Sequence, residues 1–274
     1  MELIDFDGLF DEKLAQYIEQ NKDKYTEKQW ENVIPRLYKK FGDTYVAKIK
    51  CTPKEYYAKM TETDLVNALY AHLTNDVPVP EFLCSELENR NATNELLALL
   101  DKNDECVANY VVNLVGADAR AYDIYFKCLV ENRFNEEFRS DVTDILRASA
   151  DDVLALAKEY YRDGKGTEYM LEILSRLKMR DEETYEILLK EFLADEDKIP
   201  VRAGYLAAYG DDRALPYLLN KIEDRSIGFV TFQELKYAIE ALGGEYNEPR
   251  DFTTDKDYIA IESAGYAPSD VYKS

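Results

Sequence analysis

The sequence predicts an all-α fold: a right-handed α–α superhelix, or solenoid, of stacked helix pairs with a divergent helical cap at the N-terminal end. The first observation behind this prediction is a short polar turn that recurs along the second half of the chain. The last large residue before each turn recurs at steps of 32, 31, 32 and 33 residues, at Leu114, Leu146, Leu177, Tyr209 and Leu242. A period of this length accommodates two helices and is typical of α-solenoids.

The second observation is a set of apolar side chains at helical spacing before each turn. Positions 0, −3, −4 and −7, counted back from the aligned residue, form one stripe of a helix. In the first repeat they are Leu114, Val111, Tyr110 and Val107, and later repeats are similarly apolar apart from Arg202. We expect this stripe to face the core.

Residues 1–91 are expected to form the divergent N-terminal helical region, because the period is absent there. After a first amphipathic helix, Thr26 and Gln29 have the spacing of a capping box and predict the start of a second. That helix should end at Gly42, and Pro35 within it predicts either a kink or a later start.

The segment 44–50 is compatible with a short strand or with an extended link. Proline at the first helical position predicts a helix beginning after Thr52, and Thr61 marks the start of the next. Residues 81–90 complete this region with a further helix.

The repeat array is expected over 92–249, and 250–274 forms a C-terminal segment whose residues 258–261 could pack on the last repeat before a tail. Acidic residues precede the second helix of each pair, where they suit the positive helix end and cap free amides. These expected caps are Asp118, Asp151, Asp181 and Asp211.

Residues 200–224 carry a recognisable motif, with Val201-Arg202 opening one helix and Ala208-Tyr209-Gly210 closing it. The following Arg213-Ala214-Leu215-Pro216 and the segment 238–243 continue the pattern. This stretch resembles a HEAT-type repeat, close to the HEAT-like repeats first named from phycobilisome lyases. The resemblance implies a superhelix of helix pairs in which the first helix of each pair lines the concave side. Such repeats serve as scaffolds, adaptors, inhibitors and occasionally enzymes.

The charge of the chain excludes some classes of partner. Asp and Glu number 55 against 34 Lys and Arg, a formal net charge of −21, which repels nucleic acid and favours a basic peptide or protein surface. The charge could equally serve solubility alone. No apolar stretch is long enough for a membrane span and the N-terminus lacks the features of a signal peptide, so we expect a cytoplasmic protein without membrane contact.

The outer face of the first helices, at positions −2, −5 and −9, is the predicted binding surface. We expect an acidic concave wall that binds basic segments of a partner protein, with one tyrosine as a flat contact. Val112 and Ser175 are also placed on this face. The candidate binding residues are Asn109, Glu137, Asp141, Asp144, Glu168, Glu172, Tyr237 and Glu240.

Catalytic residues are not expected. The single histidine, His72, would have to serve any Ser–His or Cys–His scheme, and Cys84 is its nearest cysteine in sequence. With one histidine and four dispersed cysteines, no metal or other cofactor is predicted. Two alternatives to an interaction module remain open: a HEAT-like lyase or other small-ligand enzyme, and an acidic mimic of nucleic acid.

Overall fold

A computed structural model describes residues 3–194 and 196–264 of the chain, and within these ranges the fold is all-α. The chain divides into two compact units, Met1–Val142 and Thr143–Ser274. No helix in the described part of the chain is both long and apolar enough to cross a bilayer.

The first unit contains eight complete α-helices and the start of a ninth among its described residues. A 3₁₀-helix at Ala98–Lys102 follows α6. The helix α9 spans the point at which the two units divide. The bounds are α1 Phe6–Asn21, α2 Glu27–Phe41, α3 Pro53–Ala58, α4 Glu62–Thr74, α5 Glu81–Arg90, α6 Thr93–Leu97, α7 Glu105–Val115, α8 Tyr122–Val130 and α9 Glu136–Ala148.

The second unit continues with helices of similar length. Short 3₁₀-helices at Glu196–Lys198 and Asp212–Ala214 lead into the α-helices that follow them. In this unit α13 packs against α11, α12 and α15. The bounds are α10 Ala150–Arg162, α11 Thr167–Leu174, α12 Glu182–Ala194, α13 Ile199–Tyr209, α14 Leu215–Ile222, α15 Phe229–Ala241 and α16 Lys256–Ser263.

The predicted period reappears in the helix starts. The first helices of successive pairs, α7, α9, α11, α13 and α15, begin at residues 105, 136, 167, 199 and 229, which are 31, 31, 32 and 30 residues apart. The aligned large residues lie at the ends of these helices or just beyond them. The local regularity that the sequence predicts is therefore present in the helix boundaries.

The structure decides two questions that the sequence left open, the start of α2 and the conformation of segment 44–50. The helix α2 begins at Glu27 and continues through Pro35 to Phe41, so a later start is wrong. Residues 47–50 form turns. The only strand-like pairing in this segment is an isolated bridge, in which the N–H of Val46 donates to the C=O of Cys51 at 2.9 Å. The segment is a turn-containing link rather than a strand.

Two of the expected acidic caps act as predicted. The Asp181 carboxylate accepts a hydrogen bond from the backbone N–H of Thr184 at 2.8 Å, at the start of α12. Asp211 accepts from the N–H of Arg213 at 3.1 Å and opens the 3₁₀ turn before α14. Both satisfy amides that a helix start leaves free.

The other two expected caps have different roles. Asp118 accepts from the N–H of Arg120 at 2.9 Å in a turn that ends before α8 begins. Asp151 lies inside α10, and its carboxylate accepts from the N–H groups of Lys178 and Met179 at 3.1 and 3.2 Å. It therefore stabilises the turn after α11 rather than its own helix.

The core contains only part of the predicted stripe, because Tyr110, Leu114 and Tyr205 are half-buried. Val107, Val111 and Leu206 are buried, as is Arg202. The placement of Val112 on the outer face was wrong, because it is 0% exposed, and Ser175, placed on the same face, is only 1% exposed. A helix covered by neighbours on two sides buries more than one stripe, which a single-stripe rule does not capture.

The C-terminal segment begins with α16. The ring of Tyr258 packs edge-on against Phe229 of α15, with ring centroids 5.2 Å apart, while Ile259 is exposed. Part of the predicted contact with the last repeat is thus formed. The expected tail over 263–274 begins too early, because Ser263 is the last residue of α16, and residues 265–274 lie outside the described part of the chain.

Candidate functional site

A surface cleft in the second unit is the candidate site. It has a volume of about 340 Å³ and lies on one face of α11, α13 and α15 and the turn after α11. Most of its lining is small or apolar, with one acidic and one basic side chain. The lining residues are Glu172, Ser175, Arg176, Val201, Gly204, Tyr205, Ala207, Ala208, Tyr237 and Ala241.

Two large side chains of this lining remain exposed. Val201 on α13 is 50% exposed, and Tyr237 on α15 is 56% exposed. Tyr205 also belongs to the lining and is half-buried, and this burial raises its pKa to about 12. The cleft is therefore bordered by one exposed aliphatic and one exposed aromatic side chain.

The cleft also contains a glycine, Gly204, that neither packing nor backbone geometry requires at its position. Gly204 lies within α13, where glycine costs about 1 kcal/mol relative to alanine. A Cβ atom built on Gly204 would meet no other atom within 4 Å. Neither packing nor helical backbone geometry requires glycine here, and its effect is to leave the cleft open.

The predicted binding residues of the second unit are largely paired within the chain. Asp144 and Glu172 both bind the guanidinium of Arg147, at 2.9 and 3.0 Å. Glu240 lies 3.9 Å from the ammonium of Lys236. The expected acidic wall is therefore partly neutralised by bases that the sequence pattern did not assign to this face.

Glu168 is the most strongly paired of these acids. It binds Lys198 at 2.7 Å and Arg202 at 2.8 Å. Burial opposes ionisation of Glu168, but the hydrogen bonds from the two bases outweigh it and hold the pKa of the carboxyl below its ordinary value. A basic partner would have to displace these internal bases.

Three of the predicted binding residues, Asn109, Glu137 and Asp141, lie in the first unit. The side-chain amide of Asn109 donates to Glu137 at 3.2 Å, across the gap between α7 and α9. Glu137 is exposed and Asp141 is half-buried. Of the eight predicted binding residues, Glu172 and Tyr237 line the cleft in the second unit.

Sequence reasoning missed five residues of the cleft: Arg176, Val201, Tyr205, Ala208 and Ala241. Val201 belongs to the Val-Arg motif that opens α13, so the motif indicated its helix but not its exposure. Arg176 precedes the aligned Leu177 and fell between the positions used to sort faces. Among the described residues no carboxylate forms an ion pair with Arg176, which makes it the unpaired charge of the lining.

The two residues of the enzymatic alternative, His72 and Cys84, each lie beside a tyrosine hydroxyl. His72 on α4 is 1% exposed, and its Nε2 lies 3.4 Å from the hydroxyl of buried Tyr57. The Cys84 sulfur lies 3.3 Å from the hydroxyl of Tyr110, and burial raises the pKa of the thiol. The thiol thus has a tyrosine as its neighbour, and its raised pKa disfavours the nucleophilic thiolate.

His72 provides a pH-dependent prediction. Burial lowers the pKa of its imidazole below the ordinary value of 6.5, so the folded state favours the neutral ring. As the pH falls from 6.5 towards the pKa of His72 in the folded state, the unfolded chain binds more protons than the folded chain. The stability that the neutral, buried imidazole contributes to the fold is therefore lost over this range. Because His72 is the only histidine, its imidazole Cε1–H signal in an NMR titration needs no assignment. We expect a native pKa below that measured in urea; an equal or higher native value would contradict the burial.

Comparisons with models of protein families, with curated proteins and with solved structures found no match. The HEAT-like resemblance remains a prediction that depends on the residues quoted for it.

Proposed function

We propose that the chain is a non-catalytic protein-interaction module, a solenoid of HEAT-like helix pairs whose second unit captures a segment of a partner protein. Support for the solenoid comes from the regular helix starts and from the packing of α13 against both α11 and α15. Such a stack presents the first helices of successive pairs side by side, which forms an extended binding surface.

The observation that carries the proposal is the open cleft with Gly204 within it. A helix-interior glycine without a steric or backbone requirement lowers stability, and proteins accept such local costs mainly at functional sites. Val201 on the same helix and Tyr237 on the neighbouring α15 offer exposed apolar surface beside the cleft. We infer that a side chain of the partner enters the cleft.

The chemistry of the lining indicates an apolar anchor. Glu172 is already paired with Arg147, and Arg176 leaves an unpaired positive charge, so a lysine or arginine would not be favoured in the cleft itself. The net charge of −21 still attracts basic residues at longer range. The proposed partner segment therefore has an apolar anchor, with basic residues placed away from the cleft.

A capture experiment tests this proposal. The chain is immobilised and exposed to an extract of its native host, with and without the double substitution Val201→Ser and Tyr237→Ser. We expect the amount of the captured partner to fall at least tenfold, because buried tyrosine anchors contribute most to such interfaces.

The matched control replaces two large exposed apolar side chains outside the cleft, Tyr217→Ser and Ile259→Ser, which are 41% and 48% exposed against 50% and 56% for Val201 and Tyr237. Capture by this control should equal that of the wild type. Equal capture by all three proteins, or equal loss in both variants, would argue against the cleft.

A further inference from the structure

The first two helices of the chain leave an apolar face incompletely covered. In α2 the side chains of Trp30, Val33, Ile34 and Leu37 follow helical spacing, yet all are half-buried, and Phe41 is the one fully buried residue of the helix. These four side chains form a stripe like those of the repeat helices, which α1 covers only in part: the ring of Trp30 packs edge-on against Tyr17 of α1, with ring centroids 6.2 Å apart.

A small cavity lies in this face, between α1 and α2. It has a volume of about 160 Å³ and is lined mainly by apolar side chains, among them Phe10, Leu14 and Leu37. A dry apolar cavity of roughly 150 Å³ accommodates a benzene ring, so this one is large enough for a leucine or phenylalanine side chain.

Two lysines without acidic partners line the same cavity. The ammonium of Lys13 lies 5.0 Å from the ring centroid of Phe41, and Lys40 is exposed. Neither forms an ion pair with any carboxylate of the described residues. Other lysines, such as Lys54 and Lys158, bind carboxylates directly in this acidic chain. The cavity is therefore an apolar depression lined by two available positive charges.

We propose that the α1–α2 face binds an amphipathic helix of a partner protein, with an apolar side chain in the cavity and acidic residues beside it that pair with Lys13 and Lys40. The short link between α1 and α2 makes the two helices neighbours, and a third helix in their groove would cover the open stripe of α2. A second copy of this chain is a poorer occupant, because a two-fold contact would bring the same lysines of both copies to one interface. This interaction is independent of the cleft in the second unit.

The test uses a designed probe with the full-length chain. A fluorescein-labelled peptide of about 18 residues forms a helix ~27 Å long, similar to α1 and α2. It carries leucine and phenylalanine at i, i+3, i+4 and i+7, with glutamates on both flanks. A second peptide has lysine at every glutamate position. Binding is measured by fluorescence anisotropy, and circular dichroism checks that each variant folds.

We expect the acidic peptide to bind the wild type more tightly than the basic one. The double substitution Lys13→Glu and Lys40→Glu should weaken acidic-peptide binding about tenfold, the combined effect of two exposed ion pairs, and strengthen binding of the basic peptide. The control Lys28→Glu and Lys39→Glu adds the same charge to α2 outside the cavity and should leave affinity unchanged.

Several results would overturn the proposal. These are equal losses in both double variants, binding of the basic peptide at least as tight as that of the acidic one, and absence of binding by either peptide. A wild-type dimer in light scattering that Leu37→Glu converts to a monomer would make a second copy the occupant instead.

Discussion

Replacement of Glu168 by alanine is expected to lower the free energy of unfolding by about 2 kcal/mol; this is less than for a fully buried ion pair, since the Glu168 side chain is 48% exposed, but more than for a surface pair. The reason is Arg202, whose side chain is 3% exposed. Its Nη2 donates to Glu168 at 2.8 Å, while Nε and Nη1 have no hydrogen-bond partner among the described residues. Without Glu168, the nearest remaining carboxylate, Glu191, lies 4.0 Å away.

A double-mutant cycle separates this effect from simple loss of a contact. Arg202→Met removes the buried charge and its two unsatisfied donors, so we expect the double variant with Glu168→Ala to be more stable than Glu168→Ala alone. The control is Glu172→Ala on the same helix, whose partner Arg147 is 28% exposed, and it should cost less than about 1 kcal/mol. Urea unfolding followed by circular dichroism measures the wild type and the four variants, and additive losses from Glu168→Ala and Arg202→Met would contradict the account.

The second large effect is expected at Gly42, where alanine should cost about 1–3 kcal/mol through overpacking. A Cβ atom at this position would lie 2.5 Å from Cε1 of Phe82. The Phe82 ring is buried and stacks on Tyr38, with centroids 4.8 Å apart and planes 7° from parallel, so it has little room to move.

The chain has a single tryptophan, Trp30 on α2, whose fluorescence reports on the helix that Gly42 ends. We expect Gly42→Ala to shift the urea midpoint of this signal downward. Gly42 has helical dihedral angles of −53° and −27°, so backbone strain does not explain the expected loss. An unchanged midpoint would mean that the Phe82 ring moves aside freely.

The helical class of the fold could be predicted because apolar spacing and capping residues act locally. The capping-box threonine before α2, the proline that opens α3 and the recurring turn each fix a helix end within a few residues. The burial of Val112 and Ser175 could not be predicted in this way. It depends on how many neighbours cover a helix, which a single repeat unit does not reveal.

The local charge of the predicted acidic wall could not be derived from helix positions either. The sorting of residues by position placed Asp144, Glu168 and Glu172 on one face but left out Arg147 and Lys198. Long basic side chains reach across a helix surface to carboxylates at other positions, so the local charge cannot be read from one stripe. The sequence predicted two residues of the cleft, Tyr237 and Glu172. It could not predict the open space at Gly204, because that space depends on how the neighbouring helices pack.

The cleft is the central claim, and Gly204→Ala tests it most directly, with stability and partner dissociation measured on the same protein. The added methyl group meets no atom, so the free energy of unfolding should rise by about 0.5–1 kcal/mol, while the captured partner should dissociate faster because the cleft is shallower. Ala155→Leu, at an exposed position of α10 outside the cleft, should leave dissociation unchanged. A more stable Gly204→Ala protein that holds its partner as long as the wild type would contradict the account.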